Sequence, residues 1–288
     1  MNVNISPTTT ADVEVCGRII YQAFKGIADY HRFPPDYLRV ESAIQLVRYF
    51  VNHPSILGLV AKSGGQVIGT SFLDERNPIR GVGPVAADPH FQGRGIGRHL
   101  MEALLKKARG SAGIRLTQNT FNMLSMSLYI SLGFEVKDHL VLISGKPKSM
   151  PVTEVEVRPL KSEDLNGSAL LCTNVCGFER TNELKDALKL FSPFVALREG
   201  RITAYTYTYR TTWTLAHGVA ETEEDMEALI LGIGALSAKP LSFLLPVRQA
   251  GFFRWCLNEG LRIIKPVTLM VIGKYQEPRG CYLPSEFY

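Results

Sequence analysis

Short apolar runs alternate with amphipathic stretches along the first half of the chain, a pattern typical of strands and helices packed together in a mixed domain. An apolar run at residues 3–6 predicts a strand, and residues 10–24 have the pattern of a helix. Two further apolar runs, at 57–62 and 66–73, are separated by Gly64-Gly65, which predicts a hairpin with a glycine turn. The first half is therefore expected to build a sheet with helices packed against it.

A strand candidate at residues 82–87 leads into a glycine-rich segment, residues 88–97, and then into a helix. The segment reads DPHFQGRGIG, and the apolar face of the helix is formed by Ile96, Leu100, Ala103 and Leu104. Such a loop points several backbone N–H groups at one place, the helix start adds partial positive charge, and glycines at 95 and 97 let an anion approach. These features predict a phosphate or pyrophosphate site; the alternative is a glycine-rich turn that only redirects the chain.

The second half repeats this order of elements. The corresponding segments are a strand at 154–159, a helix from 162, a hairpin over 194–198 and 201–209, a strand at 216–220, a helix at 223–237, a strand at 241–245, a helix at 252–259 and a strand at 267–272. Residues 146–151 are polar and contain two prolines, which is typical of a linker. The predicted organisation is a first domain over residues 1–145, a linker over 146–151 and a second domain over 152–288.

A second motif follows the strand candidate at residues 114–117. Residues 122–134 read NMLSMSLYISLGF, and together with the glycine-rich segment they resemble the GNAT acetyltransferase superfamily. The spacing QxxGxG over residues 92–97 matches the acetyl-CoA pyrophosphate loop of that family. The later motif matches the family's second cofactor motif, with Ser125 where alanine is commoner, and the resemblance covers roughly residues 1–145.

The resemblance implies an α/β fold of two tandem GNAT-like domains, each a twisted mixed sheet flanked by helices, with a degenerate second copy. It implies an enzyme that moves an acetyl group from acetyl-CoA to a primary amine of a small molecule or peptide, by direct attack in a ternary complex. Tyr129 stands at the family's usual general-acid position, from which its O–H reaches the CoA sulfur. The residues expected to bind the cofactor are Val85, Ala86 and Ala87 for the pantetheine arm, Gln92, Gly93, Arg94, Gly95, Ile96, Gly97 and Arg98 for the pyrophosphate, and Asn122 from the other side.

The general base and the acceptor stay open. Asp74, Glu75, the C-terminal carboxylate of Tyr288 and water are the alternatives for the base. Aromatic residues are dense over residues 24–37, the region that lines the acceptor pocket in the family, and they would suit an apolar or aromatic amine; a packed loop is the alternative. The alternative to an enzyme is a non-catalytic acyl-CoA sensor or scaffold whose second domain contacts a partner.

The second half departs from the family where the first half has its glycine loop. Residues 221–225 read ETEED at the start of the predicted helix. Carboxylates suit the positive end of the helix dipole, but they would repel a pyrophosphate. One cofactor site per chain, in the first half, is therefore expected.

Composition and charge exclude several classes of protein. Hydrophobic residues make up 45% and charged residues 20% of the chain, which is typical of a soluble globular protein. The sequence has neither an apolar run of membrane-spanning length nor a signal peptide, so a cytoplasmic protein without a membrane partner is expected. The formal net charge of +5 arises in the first 150 residues, which suits a polyanionic cofactor, and no basic run of the nucleic-acid-binding type is present. The five cysteines lack metal-ligand spacing, so reduced thiols and no metal are expected; a homodimer is left open.

Overall fold

A computed structural model describes residues 2–209 and 212–285 of the chain. Their contacts divide them into two units. Unit 1 holds the chain up to Glu135 together with Met270–Lys274, and unit 2 holds the intervening residues and those from Tyr275 onward. Each unit contains strands and helices of its own.

The sheet of unit 1 runs through its first five strands in chain order. These strands are β1 Asn4–Pro7, β2 Ile56–Ser63, β3 Gln66–Asp74, β4 Ile79–Ala87 and β5 Gly113–Asn119. Strands β1 to β4 pair antiparallel, and β4 pairs with β5 in parallel. The turn between β2 and β3 has φ values of +57° at Gly64 and +85° at Gly65, which glycine adopts without steric cost. The predicted hairpin is confirmed.

Two pairs of helices pack against the two faces of this sheet. They are α1 Val13–His31, α2 Val40–Asn52, α3 Ile96–Lys107 and α4 Met123–Ser131. Leu59 and Ala61 of β2 join the apolar cluster of α3 and α4, whereas Val60 joins the cluster of α1 and α2. This alternation is the period of a strand with both faces covered. Unit 1 therefore has a core on each side of its sheet.

Unit 2 repeats the element order of unit 1. Its strands are β6 Glu135–Gly145, β7 Glu156–Pro159, β8 Ser192–Arg198, β9 Arg201–Thr208, β10 Leu215–Ala220, β11 Leu241–Pro246, β12 Arg262–Gly273 and β13 Cys281–Leu283. Its helices are α5 Leu165–Cys176, α6 Thr181–Leu190, α7 Glu223–Leu236 and α8 Ala250–Asn258. One sheet has the order β13-β10-β9-β8-β7, and β6 lies between β11 and β12. The predicted tandem α/β fold is confirmed.

The two halves of the sequence exchange strands. Strand β6 follows the first half in sequence, but its residues from Val136 onward belong to unit 2, where β6 pairs antiparallel with β11. In return, Met270–Lys274, which include the end of β12, belong to unit 1. There the N–H of Lys274 donates to the carbonyl of Ala112, just before β5, at 2.9 Å. Each unit thus contains a strand, or part of one, from the other half of the sequence.

The proline-containing segment 146–151 lies within unit 2. The backbone N–H groups of Lys148 and Ser149 donate to the carboxylate of Glu259 at 2.9 and 2.8 Å. These bonds hold the segment against the end of α8. The domain limits of 1–145 and 152–288 stay a prediction, and the two units above follow a different division of the chain.

Candidate functional site

Strands β4 and β5 are paired only where they begin. The parallel pairs join Ile79–Gly81 to Gly113–Arg115, and β4 continues for six residues and β5 for four beyond them. The pairing of β4 with β3 also shifts register between the pairs Leu73–Val82 and Ser71–Val85, so one extra residue bends β4. Among the residues that the structure describes, the outer half of β4 has no strand partner on its β5 side. The two strands diverge there and leave backbone N–H and C=O groups for a ligand.

The residues predicted to hold the pantetheine arm lie in this diverging half of β4. Val85 and Ala87 are half-buried and pack beside the α3 and α4 cluster. Ala86 is 4% exposed and packs in the opposite cluster, with α1 and α2. Only the backbone of these residues is therefore offered to the gap between the strands.

A tight turn connects β4 to the glycines. Asp88 Oδ1 accepts the backbone N–H of His90 at 2.9 Å and closes the short 3-10 turn Pro89–Phe91. The side-chain amide of Gln92 donates to the carbonyl of Ala87 at 3.3 Å. Asp88 and Gln92 thus tie the loop back to the end of the strand.

The three glycines of the motif have different surroundings. Gly93 and Gly95 have φ values of +76° and +81°, the left-handed conformation that favours glycine. A Cβ on Gly93 would meet no atom within 4 Å, and one on Gly95 would meet only the ring of His99 at 3.7 Å. A Cβ on Gly97 would instead lie 3.3 Å from Leu128 Cδ2 of α4. The first two glycines therefore face open space, and the third lets α3 approach α4.

The start of α3 is exposed and positively charged. Ile96 is 1% exposed and anchors the first turn in the core, while the N–H groups of the first turn lack partners within the helix. Arg94 and Arg98 are exposed beside this end, and Arg98 donates to the hydroxyl of Ser131 at 2.7 Å. The first turn of α3 contains no acidic residue. Its charge therefore suits an anion.

Helix α4 places Tyr129 in the core. Asn122 caps the start of the helix, where its Oδ1 accepts the N–H of Ser125 at 3.2 Å, and Gly133, with a φ of +93°, follows the end of the helix. The ring of Tyr129 contacts Phe134 edge to face at 5.9 Å and is 8% exposed. Burial raises the pKa of Tyr129 to about 12, against the opposing effect of a hydrogen bond with the side chain of Ser125. The phenol is consequently a proton donor at neutral pH.

The candidates for the general base differ in the contacts that their carboxylates make. The guanidinium of Arg76 donates to both oxygens of Asp74, with its Nε at 3.0 Å from each. Glu75 is half-buried next to it, at the end of β3. Tyr288 lies outside the described residues. Both carboxylate oxygens of Asp74 are therefore already engaged by Arg76.

The aromatic segment before α2 folds over the end of β5. Phe33 stacks on Phe121 with the ring centroids 4.5 Å apart and the planes 11° from parallel. The side-chain amide of Asn119, the last residue of β5, donates to the carboxylate of Asp36 at 3.1 Å. No local sequence pattern predicts this contact, because the loop carboxylate and the strand residue lie 83 positions apart.

In unit 2 the matching place is filled by the chain itself. Thr214, just before β10, forms a parallel bridge with Ser242 of β11, and β4 and β5 likewise pair in parallel where they begin. Beyond it, β13 pairs with β10. The side chain of Gln249, at the start of α8, accepts the N–H of Tyr282 at 2.7 Å and donates to its carbonyl at 3.0 Å. A strand of protein thus lies where unit 1 has an unpaired strand edge.

The start of α7 carries charge opposite to that of α3. Glu223, Glu224 and Asp225 occupy its first turn, and the side chain of Thr222 accepts the N–H of Asp225 at 3.1 Å. Burial, together with the nearby carboxylates of Glu224 and Glu223, raises the pKa of Glu227 to about 7. This concentration of acidic groups disfavours a phosphate at this helix.

The part of the chain that the structure describes contains neither a metal-binding cluster nor a membrane-spanning helix. Within residues 2–209 and 212–285, no cluster of three or more His, Cys, Asp or Glu side chains could hold a metal ion. The five cysteines are buried, and none of them forms a disulfide. Over the same residues, no helix has the length and apolar character needed to cross a membrane.

Comparison with known proteins agrees with this geometry. Residues 21–134 match the Acetyltransferase (GNAT) family. N-alpha-acetyltransferase RimI of Mycobacterium tuberculosis is 34% identical over 137 residues, which are 46% of this chain and 78% of that protein. A crystal structure from Pyrococcus horikoshii has a TM-score of 0.77 at 18% identity, over 99% of this chain and 95% of that one. A tandem GNAT protein from the clavulanic acid biosynthesis pathway has a TM-score of 0.62 at 12% identity, over 96% of this chain and 100% of that one. The chain therefore belongs to the GNAT family of acetyl-CoA-dependent N-acetyltransferases and has that fold in tandem.

Proposed function

We propose that unit 1 transfers the acetyl group of acetyl-CoA to a primary amine of a small molecule or peptide, by direct attack while both are bound. The observation that carries the proposal is the divergence of β4 and β5 beside the exposed, positively charged start of α3. An extended amide-containing arm suits the unpaired edge of β4, and a pyrophosphate suits the glycines and the helix start. This combination matches the shape and charge of one acetyl-CoA molecule.

Each part of the site has a role in this proposal. The backbone of Val85 to Ala87 holds the pantetheine arm and polarises the thioester carbonyl. The segment from Gln92 to Arg98 holds the pyrophosphate, and Asn122 contacts the arm from α4. The unit 2 contact between Gln249 and a backbone amide supports the role of Asn122, since both side chains stand at the start of the matching helix.

Acetyl transfer to an amine requires few protein groups. The nitrogen lone pair of the neutral amine forms the new C–N bond, the C–S bond breaks, and the sulfur takes up a proton. Tyr129 supplies that proton from its phenol and regains one from solvent. The proton lost by the amine goes to Glu75, to the C-terminal carboxylate of Tyr288 or to water, because Asp74 is held by Arg76.

A panel of amines tests this function. We expect release of free CoA thiol only when acetyl-CoA is mixed with an amine that fits the site, with one acetylated product per thiol by mass spectrometry. The panel should include peptides with free N-termini, since a relative is an N-alpha-acetyltransferase, and small aromatic amines, since Phe33 and Phe121 stack at the end of β5. The same peptides with blocked N-termini and no lysine are the control. Tight acetyl-CoA binding without turnover on any amine would favour the non-catalytic sensor.

Calorimetry should give one acetyl-CoA per chain. The reason is that β13 occupies the gap beside β10 and that acidic groups surround the start of α7. Binding of two molecules per chain, or survival of binding after the glycine loop of unit 1 is disrupted, would contradict the single site.

A further inference from the structure

The side chain of Gln118 is buried without a hydrogen-bond partner. It lies on β5 and is 8% exposed. Among the described residues, neither its Nε2 nor its Oε1 has a partner within hydrogen-bond distance. A buried amide without partners destabilises the fold, so such a group indicates a missing ligand or an ordered water.

The position of Gln118 points to a ligand. By the strand period it shares a face of β5 with Ile114 and Leu116, which pack in the cluster that contains Tyr129. It also stands three residues beyond Arg115, the last residue of β5 that pairs with β4. Gln118 therefore lies on the side of α3 and α4, where the strands have separated.

Unit 2 provides an internal comparison. Gln118 stands four residues before Asn122, the residue at the start of α4, and Leu245 stands four residues before Gln249, the residue at the start of α8. Leu245 is fully buried in an apolar cluster. Thus the unit whose gap is filled by protein has an apolar side chain at this position, and the unit with an unpaired strand edge has an unsatisfied amide.

We propose that the carboxamide of Gln118 pairs with an amide group of the pantetheine arm of acetyl-CoA. A primary amide offers one acceptor and donors in one plane, which complements the N–H and C=O of a secondary amide. The chain itself contains this arrangement at Gln249, which binds both groups of Tyr282 at 2.7 and 3.0 Å. The inference rests on the proposed placement of acetyl-CoA in unit 1.

The test compares Gln118→Leu with the wild type, using two ligands. Acetyl-CoA contains the pantetheine arm, and 3′-phosphoadenosine 5′-diphosphate lacks it. We expect Gln118→Leu to weaken acetyl-CoA binding roughly 10- to 100-fold, as the loss of two hydrogen bonds implies, and to leave the Kd of the second ligand unchanged. The melting temperature of the ligand-free variant should equal or exceed that of the wild type, because an unsatisfied amide is removed.

Thr70→Val is the matched control. Thr70 is also fully buried on the unit 1 sheet, but its hydroxyl donates to the carbonyl of Leu59 at 3.2 Å. The Thr70→Val variant should be less stable than the wild type but should keep its affinity for acetyl-CoA. Gln118→Met replaces Gln118→Leu if the latter fails to fold.

Two results would overturn the proposal: unchanged acetyl-CoA affinity in the Gln118 variant, or equal weakening of both ligands. Failure of the wild type to bind either ligand is a different result, since it would overturn the placement of the cofactor itself.

Discussion

Acetyl-CoA binding is expected to disappear when Gly95 is replaced by leucine, with Kd rising roughly 100-fold or more. Gly95 has a φ of +81° at the start of α3, and a Cβ there would project into open space near only the ring of His99. That space is where the pyrophosphate is proposed to lie, so a leucine side chain would displace it. Isothermal titration with acetyl-CoA and with CoA measures the loss.

The control for this variant is Gly110→Leu. Gly110 has nearly the same backbone conformation, with a φ of +87°, and a Cβ there also meets nothing within 4 Å. It follows the last turn of the twelve-residue helix α3, about 18 Å along the helix from Gly95. Backbone strain should lower the free energy of unfolding of both variants by a similar amount, about 1–2 kcal/mol. Only Gly95→Leu should also lose acetyl-CoA binding. Equal affinity in the two variants would contradict the proposed pyrophosphate site.

Replacing Tyr129 with phenylalanine should lower turnover by roughly 10²- to 10⁴-fold while acetyl-CoA binding is retained. The variant keeps the ring that packs on Phe134 and removes only the hydroxyl. Because burial raises the pKa of Tyr129 to about 12, the wild type keeps its proton donor as the pH rises from 8 to 10. The kcat of the wild type should therefore show no fall in that range from loss of this proton.

Tyr49→Phe is the control for the loss of a tyrosine hydroxyl. The hydroxyl of Tyr49 contacts Arg76 Nη1 at 3.4 Å, on α2 rather than α4. Its removal should leave kcat within a few-fold of the wild type. A Tyr129→Phe enzyme with full turnover would show that solvent protonates the leaving thiolate.

The features that sequence reasoning predicted are those encoded locally. The glycine turn at residues 64–65 and the strand–loop–helix order around residues 88–97 follow from backbone preferences and apolar periodicity over a few neighbouring positions. The end of α4 is also local, since Gly133 has positive φ and the N–H of Phe134 donates to the carbonyl of Tyr129 at 3.0 Å. Such signals can be recognised in the sequence without knowledge of distant contacts.

The features that it missed depend on contacts between distant positions. Strand β13 has only three residues, and its partners on β10 lie more than sixty positions earlier. The glycines at positions 95 and 97 have the same sequence signal, and only the structure reveals that Gly97 faces Leu128 of α4. Gln118 lies one residue beyond the predicted strand 114–117 and carries no sequence signal, because the lack of a partner is visible only when all neighbours are known. Pairing in a sheet and satisfaction of buried polar groups are properties of the folded chain.

The exchange of strands has a consequence for synthesis on the ribosome. An N-terminal domain ordinarily folds as soon as it has emerged, before the rest of the polypeptide is made. Here unit 1 includes Met270–Lys274, so its sheet cannot be completed until these residues have been translated. Residues 136–145 of β6 likewise lack their antiparallel partner until β11 has been translated. The nascent first half will therefore expose the β5 edge that β12 later covers until residues 270–274 are made, and a gene fragment ending near residue 149 would leave that edge unpaired permanently.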